Sequence, residues 1–405
     1  MSNTILTPTA ITREALKILH NNLTFTKNAN RQYDSQFANS GATMSGKIGP
    51  NLTVRMPNKY VVRTGATMNV QDTAETSKTI SCSTQKGVDM SFSAQDLTLS
   101  IDEFSQRFIK PAALLLASTI DYDGLSLYKD VYNYVGDPTA TPSALLTWLQ
   151  GSAKMTDLCC PIDDRMAVMT PLTSATMVNT LAGQYNPQQN ISKMYIKGQM
   201  SEAAGLKWAY TQNIATHTCG SRTASGDIIV AGAGTEGMST ITFTCTTTGK
   251  TFTAGDVFSI ASVKWVNPET KNATGSTAYF TVSANATDVA GTTTLTFTPA
   301  MYASGAAQNV SALPADSAAV TFVGAASDTY KGNMIHHKDA FALVTADLIN
   351  PKDTGAWGAR EVYDGISLRI VKQYNIVNDR FDTRLDVLYG WKTLYPEWAC
   401  RVVGD

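Results

Sequence analysis

Between residues 221 and 327 the chain gives up almost all of its charge, and this most narrows what it can fold into. Ser, Thr, Ala and Gly make up more than half of the segment, and charged side chains are sparse. An amphipathic helix needs a broad apolar stripe backed by a polar face, and the segment offers neither. Short β-rich runs recur instead, at 228–230, 239–244, 257–263, 278–282, 293–298 and 319–323, with turn residues between them. Six short strands at this spacing predict a small barrel or sandwich. Mixed helix and strand patterns lie on both sides of the segment, so it reads as an all-β domain inserted into a larger α+β chain.

The whole chain has 405 residues, with 32 Lys+Arg against 33 Asp+Glu and a formal net charge of -1. That balance excludes a basic nucleic-acid coat or tail. Large apolar residues are too frequent for a disordered chain. The length predicts two or three units with ample core. Residues 1–9 lack a basic, apolar secretory signal. The longest aliphatic run, Ala112 to Ala117, is far below the ~20 residues that span a bilayer. The six cysteines (Cys82, Cys159, Cys160, Cys219, Cys245, Cys400) show no C-x-x-C spacing and read as free thiols of a reducing cytoplasm.

Positions 1–60 carry seven basic against two acidic side chains. A short helix fits residues 9–20, and residues 21–50, rich in Asn, Gln, Gly and Ser, read as an extended arm. The β-rich runs 53–56 and 60–63 and the alternating Val88, Met90 and Phe92 predict the two sides of a protruding hairpin, with a polar tip at 71–86. Ser100 and Glu103 fit a capping box and open a helix through Phe104, Phe108, Leu115, Leu125, Val131 and Tyr134. Its length would be roughly 50 Å at 1.5 Å per residue, bent or divided at Pro111 and Gly124. Further helices are predicted at 143–155, after Pro171, and at 338–348. Strands are predicted at 166–169, 366–374 and 386–391, and a loop at 183–198.

Few residues invite chemistry. Gly232, Gly234 and Gly237 fit G-x-G-x-x-G, but β sequence follows where a nucleotide fold needs a helix, so a hairpin turn is expected. His336 and His337 are adjacent and diverge in a strand or helix, which serves one metal poorly. Asp163 and Asp164 read as a cap or loop, and Asp121 as part of a solvated helix face. Ser83 and Lys86 fit S-x-x-K without opening a helix. The expectation is no enzyme: no catalytic residue, no cofactor and no metal.

The element order is arm, hairpin, long helix, mixed α/β, inserted β domain and return. It resembles the major capsid proteins of tailed phages, of the Hong Kong-ninety-seven-type fold. Within them it is similar to the P-twenty-two-like coat proteins. The run from Thr251 through Gly255-Asp256 to Val263-Lys264-Trp265-Val266 carries the local resemblance, together with Thr293 to Ala300. The resemblance implies an N-terminal arm (1–50), an extended loop (51–99), a spine helix of a peripheral domain (100–136) and an axial domain (137–220 and 328–365). It also implies an inserted barrel-like or Ig-like domain (221–327) and a peripheral return (366–405). It further implies pentamers and hexamers in an icosahedral virion shell assembled in the bacterial cytoplasm. The implied partners are a scaffolding protein, a portal protein, a possible decoration protein and packaged double-stranded DNA held without sequence specificity, with no membrane. One departure is visible. Where relatives carry a long bridging loop, this chain has only Gly232 to Gly237, so bridging by that loop is not expected. No Lys–Asn pair for covalent cross-linking is identifiable.

Two other readings compete. The Thr-rich β segment would suit a secreted or surface adhesin or carbohydrate-binding protein, against which the absent signal peptide counts. An enzyme would need a site among Asp163, Asp164, His336 and His337.

Overall fold

A computed structural model of the chain describes residues 8–33, 49–68, 70–71, 75–93, 108–181, 202–223, 226–351, 357–363 and 366–404. The chain divides into two compact units. The first comprises Met1–Arg55, Ser77–Gly124 and Phe341–Lys392, and the second Met56–Thr76, Leu125–Ala340 and Thr393–Asp405. After residue 125 the path crosses between units at 341 and 393.

In the first unit, Phe341–Ala346, Arg380–Thr393, Ile366–Asn375 and Trp357–Tyr363 form a sheet in that order, and Thr84–Ser93 also pairs with Arg380–Thr393. Helix Pro8–Asn22 and helix Lys110–Leu125 supply the rest of the core. Ala15, Leu16 and Leu19 share it with Ala113, Leu116, Ile120, Leu368 and Leu385. Residues 23–30 are not the coreless arm expected. Leu23, Phe25 and Ala29 are buried, and Asn30 bridges to Ala342 as a strand would.

Three expectations fail here for identifiable reasons. The expected hairpin partners part company: Asn51–Arg55 pairs with Ser77–Ser81, while Thr84–Ser93 joins the far end of the chain. Alternation in Val88, Met90 and Phe92 identifies a strand but not its partner. Tyr60 to Arg63 lies in no strand, and the tip is Met56–Thr76, not 71–86. The expected helix at 338–348 is a single 3-10 turn followed by strand Phe341–Ala346, whose first five residues are all buried. A strand covered on both faces has no period to separate it from a buried helix.

The second unit contains a six-stranded sheet in the order Tyr134–Val135, Ala399–Val402, Met334–His337, Arg165–Met169, Leu206–Tyr210, Glu202–Ala203. Helix Leu145–Asp157 covers it with Trp148, Gly151 and Met155. The long helix closes sooner than expected. Lys110–Leu125 is α-helical and Ser126–Asp130 is 3-10. Val131 is extended, and Tyr134 pairs in parallel with Arg401. Sheet pairing to a residue near the other end of the chain overrides local helix propensity. The capping box at Ser100 and Glu103 and the loop at 183–198 lie outside the described residues.

Residues 226–323 form a second six-stranded sheet. Its order is Val320–Phe322, Val257–Val266, Ala273–Val282, Thr292–Met301, Met238–Cys245, Ile228–Val230. All six expected runs are strands. The outermost two also meet, through Val230 N–H to Ala318 O at 3.0 Å and Ser317 N–H to Val230 O at 2.9 Å. Phe243, Phe258, Phe280, Phe297 and Phe322 fill the interior. Phe243 sits edge-on to Phe258 at 5.5 Å. Where Met238–Cys245 pairs with Thr292–Met301, the outward residues are threonines, Thr240, Thr242 and Thr244 opposite Thr296, Thr294 and Thr292. Gly232 to Gly237 forms the turn between two antiparallel strands, as expected.

Candidate functional site

The chain enters the central β segment through Thr216–Thr218 and leaves it through Thr329–Lys331, which pair with each other. Alternation along the entering strand turns His217 inward, and Cys219 beyond it is buried too. Gly255-Asp256 turns back towards them. Gly255 has φ +99°, and a Cβ there would meet Lys129 and His217 at 3.0 and 3.2 Å. Only glycine lets the two segments approach this closely.

Asp256 is the hub. Its carboxylate accepts from His217 Nε2 at 3.0 Å, Arg222 Nη2 at 3.3 Å, Thr253 N at 3.0 Å and Gly220 N at 3.3 Å. A carboxylate only accepts, so His217 carries its hydrogen on Nε2. Its Nδ1 is then free to accept from the Tyr128 hydroxyl at 3.0 Å. Burial pushes the His217 imidazole below its ordinary value, against the pull of Asp256, and the ring is neutral. Burial alone would raise Asp256, but the His217 hydrogen bond and the Arg222 charge outweigh it and hold the carboxyl low.

Around this hub the segment is bolted to the remainder of its unit. Thr281 Oγ1 donates to Lys129 O at 2.9 Å. Arg401 donates to Gly255 O at 2.6 Å, Lys129 O at 3.1 Å and Thr281 Oγ1 at 3.2 Å. Lys154 donates to Tyr134 O at 2.7 Å and lies 4.7 Å over the Tyr279 ring. Tyr132 packs on Trp265 at 5.2 Å.

His217, Cys219 and Asp256 bring their donor atoms within 4.8 Å of one another, the one group of possible metal ligands among the described residues. Both ring nitrogens of His217 are already engaged, burial pushes the Cys219 thiol up to about 11, and Arg222 faces the same carboxylate. The set holds a junction together; a cation would have to displace it. Sequence reasoning missed this group because Asp256 lies far along the chain from His217 and Cys219, and only the inward alternation of 217 and 219 hinted at it.

The residues singled out from sequence are placed elsewhere. Asp164 pairs with Lys207 at 2.6 Å on the surface, while His336 and His337 are buried in strand Met334–His337. They form no common ligand set. Lys86 sits in a strand and pairs with Asp123 at 2.6 Å, not in a hairpin tip. Asp121 is not solvated: it is fully buried and accepts from Thr24 N, Thr26 N and Thr26 Oγ1. Burial raises its carboxyl and those donors partly offset this. All six cysteines are free thiols.

Each unit also exposes apolar side chains that its own core does not need. In the loop Met56–Thr76, Val62 is 89% exposed, beside Met68 and Val70. The loop's few internal ties include Val61 with Gln71. In the first unit, the turn after Ile366–Asn375 presents Ile376 and Val377 at 82% and 86% exposure. The same unit's helix Lys110–Leu125 turns Leu115 and Tyr122 outward, two turns apart on one face. No helix among the described residues is long and apolar enough to cross a membrane.

A family model described as "P22 coat protein - gene protein 5" matches residues 3–404. No curated protein matches. Among solved structures, one of Mycobacterium phage Che8 is similar at a TM-score of 0.48 and 10% identity, covering 94% of this chain and 90% of that one. A virus-like particle from Pyrococcus furiosus is similar at 0.40 and 7% identity, with 97% of each chain covered. The CUS-3 coat protein I-domain is 30% identical over 24% of this chain and 94% of its own, at a TM-score of 0.19.

Proposed function

This chain belongs to the P22 coat protein family and is a major capsid protein of a tailed phage, a component of the virion shell; from that premise we propose that it assembles as pentamers and hexamers into an icosahedral shell around double-stranded DNA. The family match across residues 3–404 carries the reading. The exposed apolar loop, turn and helix face support it, because a shell subunit needs several moderate interfaces that close by symmetry. Many weak contacts allow errors to be corrected while their sum gives a durable particle.

We read the first unit as the peripheral domain with its spine helix, and the six-stranded sheet of the second as the axial domain. Residues 221–327 are the inserted β domain, and the loop Met56–Thr76 reaches a neighbouring copy. The basic excess of positions 1–60 suits acidic surfaces of a scaffolding protein on the inner side. A portal protein, and a decoration protein on the outer side, complete the partners. With a net charge of -1, like copies repel one another weakly at long range, and packaged DNA is confined by the wall with counterions neutralising its phosphates. Assembly takes place in the bacterial cytoplasm.

The test is expression with and without a scaffolding protein, followed by electron microscopy and sedimentation. Closed shells built of capsomers are expected. A chain that stays monomeric at every concentration, with scaffold present, would refute the proposal.

A further inference from the structure

We propose that Arg401 positions the central β segment, and that its strand, Ala399–Val402, is the latch that makes a subunit competent to assemble. The second half of this statement rests on the shell reading above; the first does not.

Ala399–Val402 is the last strand in chain order, yet it occupies an interior place in its sheet. Arg401 lies antiparallel to Met334 on one side and parallel to Tyr134 on the other. A strand synthesised after both neighbours must insert between them. Before it does, Met334–His337 and Tyr134–Val135 each present unpaired backbone groups. The end of the strand is held tightly as well: a Cβ at Gly136 would run into the carbonyl oxygen of Gly404.

The side chain of Arg401 then reaches out of the sheet. It is fully buried, and its guanidinium lies 5.1 Å over the Tyr128 ring. Nη1 donates to Gly255 O at 2.6 Å, and Nη2 to Lys129 O at 3.1 Å and Thr281 Oγ1 at 3.2 Å. One cation thereby joins the end of the 3-10 turn, two points of the central segment and the last strand. Its acceptors are carbonyls and a hydroxyl, with no carboxylate within ion-pairing distance among the described residues, while Asp256 pairs with Arg222. A buried guanidinium is tolerable only where most of its hydrogens find acceptors; Nε is buried without one, and of the three acceptors that Nη1 and Nη2 do find, two belong to the central segment. Burial of Arg401 and docking of the segment are therefore conditional on each other. The segment's own fold does not depend on Arg401, since its phenylalanine core and joined outer strands lie wholly within residues 226–323.

The experiment uses the full chain as unassembled subunits carrying Arg401→Met, Arg401→Lys or Thr281→Val. Hydrogen exchange is read at the junction amides of residues 253–256 and 281–283, and separately at the paired strands Met238–Cys245 and Thr292–Met301. Arg401→Met should exchange about tenfold faster at the junction with the paired strands unchanged, as loss of charge-assisted hydrogen bonds predicts. Arg401→Lys, with one point donor in place of a planar fork, and Thr281→Val should lie between. Yield of closed shells by electron microscopy should fall in the same order. Unchanged junction exchange in all three variants overturns the positioning role. So does equal loosening of the paired strands, which would make Arg401 a residue of general stability only. A loosened junction with normal shell yield overturns the latch. If wild-type subunits form no shells, the capsid reading and the latch fall together, while the junction comparison still decides the role of Arg401.

Discussion

Replacing Asp256 by Ala would strip His217, Arg222 and two backbone N–H groups of their shared acceptor in one step. Removing one partner of a buried charge network costs about 3–5 kcal/mol, so urea unfolding of the unassembled subunit should show a loss of that order. A loss below about 1 kcal/mol would mean that water serves the site as well as the carboxylate does. Three of the four histidines are buried and held neutral. Burial pushes His336 down to about 4 and lowers His217 and His337. In the unfolded chain each takes up its proton near 6.5. Their stabilising contribution is thus complete above that value and is lost as pH falls below it; for His336 the loss runs from about 6.5 to about 4 and amounts to about 3 kcal/mol. Asp121, with its raised carboxyl, acts in the opposite sense. A lower unfolding midpoint at pH 5 than at pH 7.5 is expected, and an equal or higher one would show that the buried imidazoles do not dominate the pH dependence. Little of this was legible in sequence. Asp121 reads as solvated because helix period says which residues share a face, not what that face meets.

At the scale of elements, the loop Met56–Thr76 should be dispensable to the subunit. Substituting a short Gly/Ser turn for residues 57–75 leaves the pairing of Asn51–Arg55 with Ser77–Ser81 in place. It should shift subunit stability by under about 1 kcal/mol, since loop-closure entropy varies slowly with length. Shells made from it should dissociate at lower urea than wild type; equal resistance would show that the loop touches no neighbour. Deleting 71–86 is a different experiment, because it removes Ser77–Ser81 and the start of Thr84–Ser93. The exposed turn gives a sharper probe. Ile376→Asp with Val377→Asp should change subunit stability by no more than about 0.5 kcal/mol and still abolish shells in the micrograph. Intact shells would leave that turn without a role. Elements were legible where one face is wet. The runs at 228–230, 239–244 and 293–298 alternate, and all six runs between 228 and 323 are strands. Phe341–Ala346 is covered on both faces and has no alternation to read. Tyr134 fails for another reason: its partner, Arg401, contributes nothing to its local sequence.

For the whole molecule, two units with separate apolar cores predict unfolding that is not two-state. Calorimetry of the unassembled subunit should give a measured enthalpy larger than the van't Hoff value, and a single coincident transition would argue for one cooperative body. The mixed α and β character and the central β segment were legible because composition changes sharply at the ends of residues 221–327. The crossings at 341 and 393 were not, because no comparable change of composition marks either of them. The joined outer strands of the central segment carry one more consequence. Runs of Thr, Val, Ile and Phe with few charges are what cross-β stacking uses, and a shell packs many copies of them at very high local concentration. With Val230 bonded to Ala318 and Ser317, the two outermost strands spend backbone groups on each other that a second copy could otherwise use as a template. Breaking that pair of hydrogen bonds should therefore raise the tendency of crowded identical chains to form fibres.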